Sequence, residues 1–376
     1  MAMAMDARLR TLTETYGQSL WLDGFDRRML EDGSLAELVG LGVHGVTSNP
    51  TLFREAVGDG RDYAESMRTL MQADHEIDGA GLAHWLMLED ARRAADVLLQ
   101  VYEQTAGRDG FVSVEVPPYL AHREGETVEA AMHLREQIGR ANVMIKVPGT
   151  REGLHAFERL IGAGVNVNLT LLFSPARYRM VTDAYLRGLA RNADPSGVRS
   201  VASFFLSRID VAVDRLLAEE GEPAQALRGA TAIACARLAY RHFGEVFGGE
   251  AFRAQESRGA LPQRLLWAST ATKRPDERET RYVEALIGPD TVVTVPRRTL
   301  EAFLHDGEVL PRLTQGIEEA ERHIERLEDL GIDLAGVAEA LEEDGIARFT
   351  ESWSELVRVL QQNRLGVARR FAGGRH

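Results

Sequence analysis

Of the 44 basic residues in this 376-residue chain, 42 are arginine and only two, Lys146 and Lys273, are lysine. Arginine carries a solvated positive charge as well as lysine does, but it cannot shed a proton to become an amine nucleophile. The two lysines are therefore the first residues to ask about. Lys146 lies in VMIKVPG, where Met144 and Lys146 take one face of an extended run and Ile145 and Val147 the other. No other charge accompanies it in that run. An ammonium enclosed there is driven toward the neutral amine that attacks a carbonyl to form a Schiff base. The same alternation puts Ser113 and Glu115 on one face of FVSVEV, and Asn166, Asn168 and Thr170 on one face of VNVNLTLL. LWLDG ends with Asp23, GVTSNP with Thr47, Ser48 and Asn49, and LLWAS with Ser269. One amine, carboxylates, amides and hydroxyls at the ends of apolar runs are enough for carbonyl and acid–base chemistry.

Plainer readings compete at each position. A lysine or glutamate in a strand is most often on a solvated face, although a parallel barrel leaves no such face free. The Asn166, Asn168, Thr170 row reads equally as a buried hydrogen-bonded network. Arg208, Asp210 and Asp214 read equally as an ion network at a helix start or as ligand contacts. The ten histidines show no ligand spacing, so no metal is expected. Cys235, in ATAIACARLAY, sits on an apolar helical stripe and reads as core.

The elements that must hold these residues follow from the pattern of apolar runs. Eight strands are expected: Leu20–Gly24, Val43–Ser48, Phe111–Val116, Val143–Val147, Val165–Leu172, Val201–Leu206, Leu265–Ser269 and Thr291–Val295. Helical patterns alternate with them, one opening at Ser34 and closing at Gly42, another opening at Thr150. Strand and helix in alternation point to a parallel sheet. Eight repeats with no G-x-G-x-x-G after the first strand favour a closed (β/α)8 TIM barrel over an open doubly wound sheet. Residues 54–106 and 300–370 exceed single crossovers and read as additional helices packed on one domain of residues 1–376, with the barrel over about 18–300. The short tail AGGRH is expected to fray.

Composition narrows the function classes. A formal charge of −13 gives non-specific nucleic-acid binding no support. One cysteine forbids any intrachain disulfide or thiol redox pair. No run approaches the roughly 18 apolar residues of a membrane span, and no apolar leader follows the start, so a soluble cytoplasmic protein is expected.

The strings LWLDGF, GVTSNPTLF, FVSVEVPPYLA, VMIKVPGTREGL, VNVNLTLLFSPARY, SVASFFLSRID, GATAIACARLAY and LLWASTATK together resemble the transaldolases, in their longer bacterial form, over about residues 15–360. The resemblance implies a barrel whose fourth strand carries the imine-forming lysine, here Lys146. It further implies Glu115 as an acid–base working through a water, Thr170 as a holder of that water, and Asp23 as the base for C3–C4 cleavage. Asn49 and Asn168, with Thr47 and Ser203 nearby, would hold the dihydroxyacetone hydroxyls. Arg208, Ser269 and Lys273 would bind phosphate, and Phe205 would wall the site. The implied partners are sugar phosphates, with no cofactor; a homo-oligomer is compatible with the resemblance. The chain departs from the family pattern at Pro117, Pro118 and Tyr119, where an Asp and an Arg are usual, and at Arg297 and Arg298, where the usual residues include an acid. That gain of positive charge raises an alternative: a pathway-specific relative building an unusual seven- or eight-carbon sugar phosphate for secondary metabolism.

Overall fold

In the computed structural model, which describes residues 5–58 and 60–373, eight strands close into a barrel in chain order. They are β1 (Gln18–Asp23), β2 (Gly45–Thr47), β3 (Phe111–Glu115), β4 (Val143–Pro148), β5 (Val167–Leu172), β6 (Ser200–Phe205), β7 (Arg264–Ala268) and β8 (Thr291–Val295). Every neighbouring pair is parallel, and β8 returns to β1 with Gln18 opposite Thr291 and Leu22 opposite Val295. The expected (β/α)8 architecture, with extra helices after the second strand and after the last, is the one found.

Local chemistry explains where element boundaries differ from the apolar runs. β2 starts at Gly45 because Val43 N–H is drawn back to Leu38 O, closing the preceding helix with Gly42 at φ +115°. That helix opens from Gly33 rather than by a Ser34 side-chain cap, and Asp32 accepts from Ser34 N–H. β5 starts at Val167 because the Asn166 side chain is spent on loops, donating to Ala141 O and accepting from Arg199 N–H. Asn166 therefore belongs to the far end of the barrel, away from Asn168 and Thr170. The cap at Thr150 is as expected: its hydroxyl accepts from Gly153 N–H at 2.9 Å, starting helix Arg151–Gly162 directly after β4.

The two ends of the barrel are filled differently. At the N-terminal end Arg264 reaches inward to Asp109 (3.1 Å), Ser19 (2.5 Å) and the Thr291 carbonyl (2.6 Å), and Trp21 Nε1 also donates to Asp109. Asp109 and Arg264 are both buried, so an ion pair plugs that end, with Arg264 Nε left without a hydrogen-bond partner. The C-terminal end opens upward and is roofed by helix Leu334–Gly373. This roof packs on helices Pro50–Val57 and Gly79–Gln104, on helix Ser207–Leu217 and on the turn Pro118–Leu120. Leu356 and Leu360 bolt it to Phe53, Tyr63, Met67, Leu82 and Leu86 in a small core of their own. The last three residues of the AGGRH tail lie outside the described residues. Among the described residues no helix is long and apolar enough to cross a membrane.

Candidate active site

Parallel register sets the site's width. Glu115 on β3 lies beside Lys146 on β4, and Lys146 beside Asn168 on β5. All three are buried, on the inward parity near the C-terminal ends of their strands, where barrels carry chemistry. Lys146 Nζ donates to the Ser48 carbonyl at 3.0 Å and stands 3.3 Å from Glu115 Oε2. The amine is thus enclosed by a neighbouring strand's carboxylate, which its own strand did not reveal.

Around this pair the polar side chains form a connected inner surface. Asn168 donates to Ser113 (3.1 Å) and accepts from Ser203 on β6 (2.6 Å). The Thr47 hydroxyl donates to Asp23 on β1 (2.8 Å) and lies 3.0 Å from the Thr294 hydroxyl on β8. Both Glu115 oxygens and the Thr170 hydroxyl are buried without a hydrogen-bond partner in the protein. Their bonding capacity faces the site.

Two carboxylates are displaced from ordinary behaviour. Burial pushes the Glu115 carboxyl above the usual range, with the charge of Asp23 adding to it and Lys146 opposing. Burial also raises Asp23, against the pull of Lys146, Thr47 and Arg208. Shifted carboxylates beside an enclosed amine are the pattern expected of an acid–base site.

The β6 end supplies a cation. Arg208, at the head of helix Ser207–Leu217, lies 5.6 Å from the centroid of the Phe205 ring, which in turn packs on Phe173. Arg208 Nη1 is buried and unpartnered. Ser269, just past β7, holds a left-handed φ of +55° and bonds Ser207 at 2.8 Å. Leu171 on β5 is likewise left-handed at φ +62°. Such conformations cost about 1 kcal/mol or more in non-glycine residues and gather at functional sites.

Residues 20–360 match the family described as transaldolase/fructose-6-phosphate aldolase. This chain belongs to that family. A transaldolase of Thiobacillus denitrificans is 45% identical over 347 residues, covering 91% of this chain and 96% of that protein. Transaldolase 1 of Streptomyces coelicolor is 45% identical over 354 residues and covers 92% of each. A transaldolase of Saccharopolyspora erythraea is 43% identical over 366 residues, covering 96% of this chain and 98% of its own length.

Within this family member the residues expected to act together are not all equally close. Asp23, Thr47, Glu115, Lys146, Asn168, Thr170 and Ser203 converge on the inner surface of the mouth. Asn49 divides its duties, capping helix Pro50–Val57 by accepting from Leu52 N–H at 3.0 Å while lining a cavity with Ser48, Glu115, Phe25 and Trp353. Lys273 stands apart: it is exposed and lines a separate cavity with Ser207, Asp210 and Asp214. Asp210 and Asp214 take no part with Arg208; they accept from Ala232 and Gly229 N–H and tie helix Ser207–Leu217 to the next segment. Cys235 is core, its thiol pushed up to about 12 by burial. Arg297 and Arg298 are exposed and each paired, to Glu301 (3.0 Å) and Glu279 (2.5 Å). Among the described residues no group of three or more His, Cys, Asp or Glu gathers as metal ligands would. Trp353, Gly345 and Arg348 of the roof went unnoticed in the sequence, because an ordinary amphipathic pattern says nothing about which element it covers.

Proposed function

We propose that this protein is a transaldolase that moves a dihydroxyacetone unit from a ketose phosphate, such as fructose 6-phosphate or sedoheptulose 7-phosphate, to an aldose phosphate through an imine on Lys146. The observation that carries this reading is Lys146 Nζ held 3.3 Å from a buried carboxylate in the mouth of the barrel.

The chemistry follows from what the bond cleavage requires. A C–C bond next to a carbonyl breaks readily only when the electron pair has a sink, and a protonated imine is one. The neutral amine of Lys146 adds to the C2 carbonyl. Loss of water from the carbinolamine then needs a proton delivered to the leaving hydroxyl. Glu115, raised by burial and beside the Lys146 amine, is suited to hand over that proton, directly or through a water held by Thr170. Asp23 then takes the C4 hydroxyl proton, the C3–C4 bond breaks, its electrons pass into the iminium, and an aldehyde leaves. The enamine left on Lys146 adds to the acceptor's aldehyde by the reverse path. Asn168 and Ser203, already linked to each other, present an amide and a hydroxyl to the sugar hydroxyls, and Arg208 presents an uncommitted N–H edge to the phosphate.

Borohydride trapping tests the reading. Incubation with fructose 6-phosphate followed by reduction should leave one reduced dihydroxyacetone unit on the Lys146 peptide, and Lys146→Arg should leave none. Turnover without any adduct on Lys146 would overturn it.

A further inference from the structure

The roof helix Leu334–Gly373 touches both sides of the barrel mouth, and the two touching points can be named. On one side is Gly345. A Cβ there would lie 2.9 Å from Leu171 Cδ2 and 3.5 Å from Arg208 Nη1, so the helix passes against β5 and the head of the β6 helix. On the other side Ser352 bonds Thr51 at 2.8 Å, just beyond the end of β2. Arg348 follows Gly345 by three residues and precedes Ser352 by four, a spacing that keeps all three on one stripe of the helix. It therefore sits over the mouth, between its two anchors.

The charge pattern beneath it is incomplete. Arg208 has a buried, unpartnered Nη1, and among the described residues no carboxylate stands within ion-pair distance of it. One guanidinium neutralises half of a phosphate dianion. The other lysine of the chain, Lys273, opens on a different cavity. Arg348 is 66% exposed and, among the described residues, is paired with Asp344, one turn back, at 2.7 Å. An exposed i, i+4 pair is weak, and a phosphate offers more charge and more acceptor oxygens than one carboxylate. Electrostatics supports the proximity: besides burial, Arg348 and Asp344 are the groups that act most on the Arg208 guanidinium.

We infer that Arg348 leaves Asp344 and becomes the second guanidinium on the substrate phosphate, so that the roof helix, and not the barrel alone, selects phosphorylated sugars. This rests on the reading of Arg208 as a phosphate ligand. Arg348 binds and does not react; it is a specificity residue supplied by an element outside the barrel.

The test compares wild type with Arg348→Ala and Arg348→Lys on a phosphorylated and a neutral imine-former. With fructose 6-phosphate, Arg348→Ala should raise KM about tenfold with kcat within about twofold, as for loss of one partly exposed charge-assisted contact. Arg348→Lys should recover part of it, because a point charge replaces a fork. Borohydride trapping with dihydroxyacetone, which has no phosphate, should be unchanged. A KM within twofold of wild type for fructose 6-phosphate, or an equal loss with both compounds, overturns the inference. If no ketose labels Lys146 even in wild type, the aldol reading itself falls, and calorimetry with inorganic phosphate then decides separately. Binding about tenfold weaker in Arg348→Ala supports the role, and equal binding overturns it.

Discussion

Replacing Glu115 by Gln separates the steps assigned to the two carboxylates. At 3.3 Å and an effective dielectric of about 20, the attraction between Glu115 and a charged Lys146 is on the order of 5 kcal/mol, before the cost of removing both from water is subtracted. Glutamine keeps the shape and loses both the charge and the transferable proton. Removing a positioned acid–base group slows its step about 10²- to 10⁴-fold, which corresponds to roughly 3–5 kcal/mol of barrel-held barrier lowering. That loss belongs to carbinolamine dehydration, so rapid mixing followed by borohydride quench should show adduct appearing 10²- to 10⁴-fold more slowly in Glu115→Gln. Asp23→Asn should do the reverse, forming imine with fructose 6-phosphate at close to the normal rate while failing to release glyceraldehyde 3-phosphate. Adduct formation in Glu115→Gln within about threefold of wild type would refute the assignment of that proton transfer. Normal aldehyde release in Asp23→Asn would refute the division of labour.

Two further predictions concern the scaffold. A Cβ on Gly153 would stand 1.9 Å from the Pro148 carbonyl oxygen, at the junction that ends the lysine-bearing strand. Gly153→Ala should therefore cost about 3 kcal/mol or more in urea unfolding, and an unchanged midpoint would contradict the packing described. At the opposite end, burial pushes the Asp109 carboxyl up, but Arg264, His44 and Ser19 outweigh it and hold it at about 2. A depressed carboxylate stabilises the fold above its unfolded value of about 3.9, and that stabilisation is lost as pH falls toward 2. The melting temperature of wild type should fall over that window, and Asp109→Asn, less stable at pH 7, should lack that part of the fall; parallel acid profiles would refute the role of the plug.

Much of the site was legible in the chain itself because period-two alternation in strands assigns faces without any tertiary information. Lys146, Glu115, Asn168 and Thr170 stand out as polar residues in otherwise apolar strands, and the near absence of lysine singles out the amine. Asn166, on the same alternation, was misleading: β5 begins two residues later than the apolar run, at Val167, and the Asn166 side chain goes to the loops at the other end. Lys273 was conspicuous by scarcity alone, and scarcity does not say which cavity a side chain lines.

What the sequence determined by itself was the set of elements, their order and the parity of each strand, since these depend on local hydrophobic spacing, caps and turns. What only the tertiary structure decided was adjacency across strands and across the mouth. Barrel closure puts Glu115 against Lys146, and the same closure packs Arg264 and Asp109 into a plug between residues 155 positions apart. The roof helix brings Gly345 against Leu171 and Arg208 through contacts that no local pattern encodes, because an amphipathic helix specifies that it covers a surface and not which one.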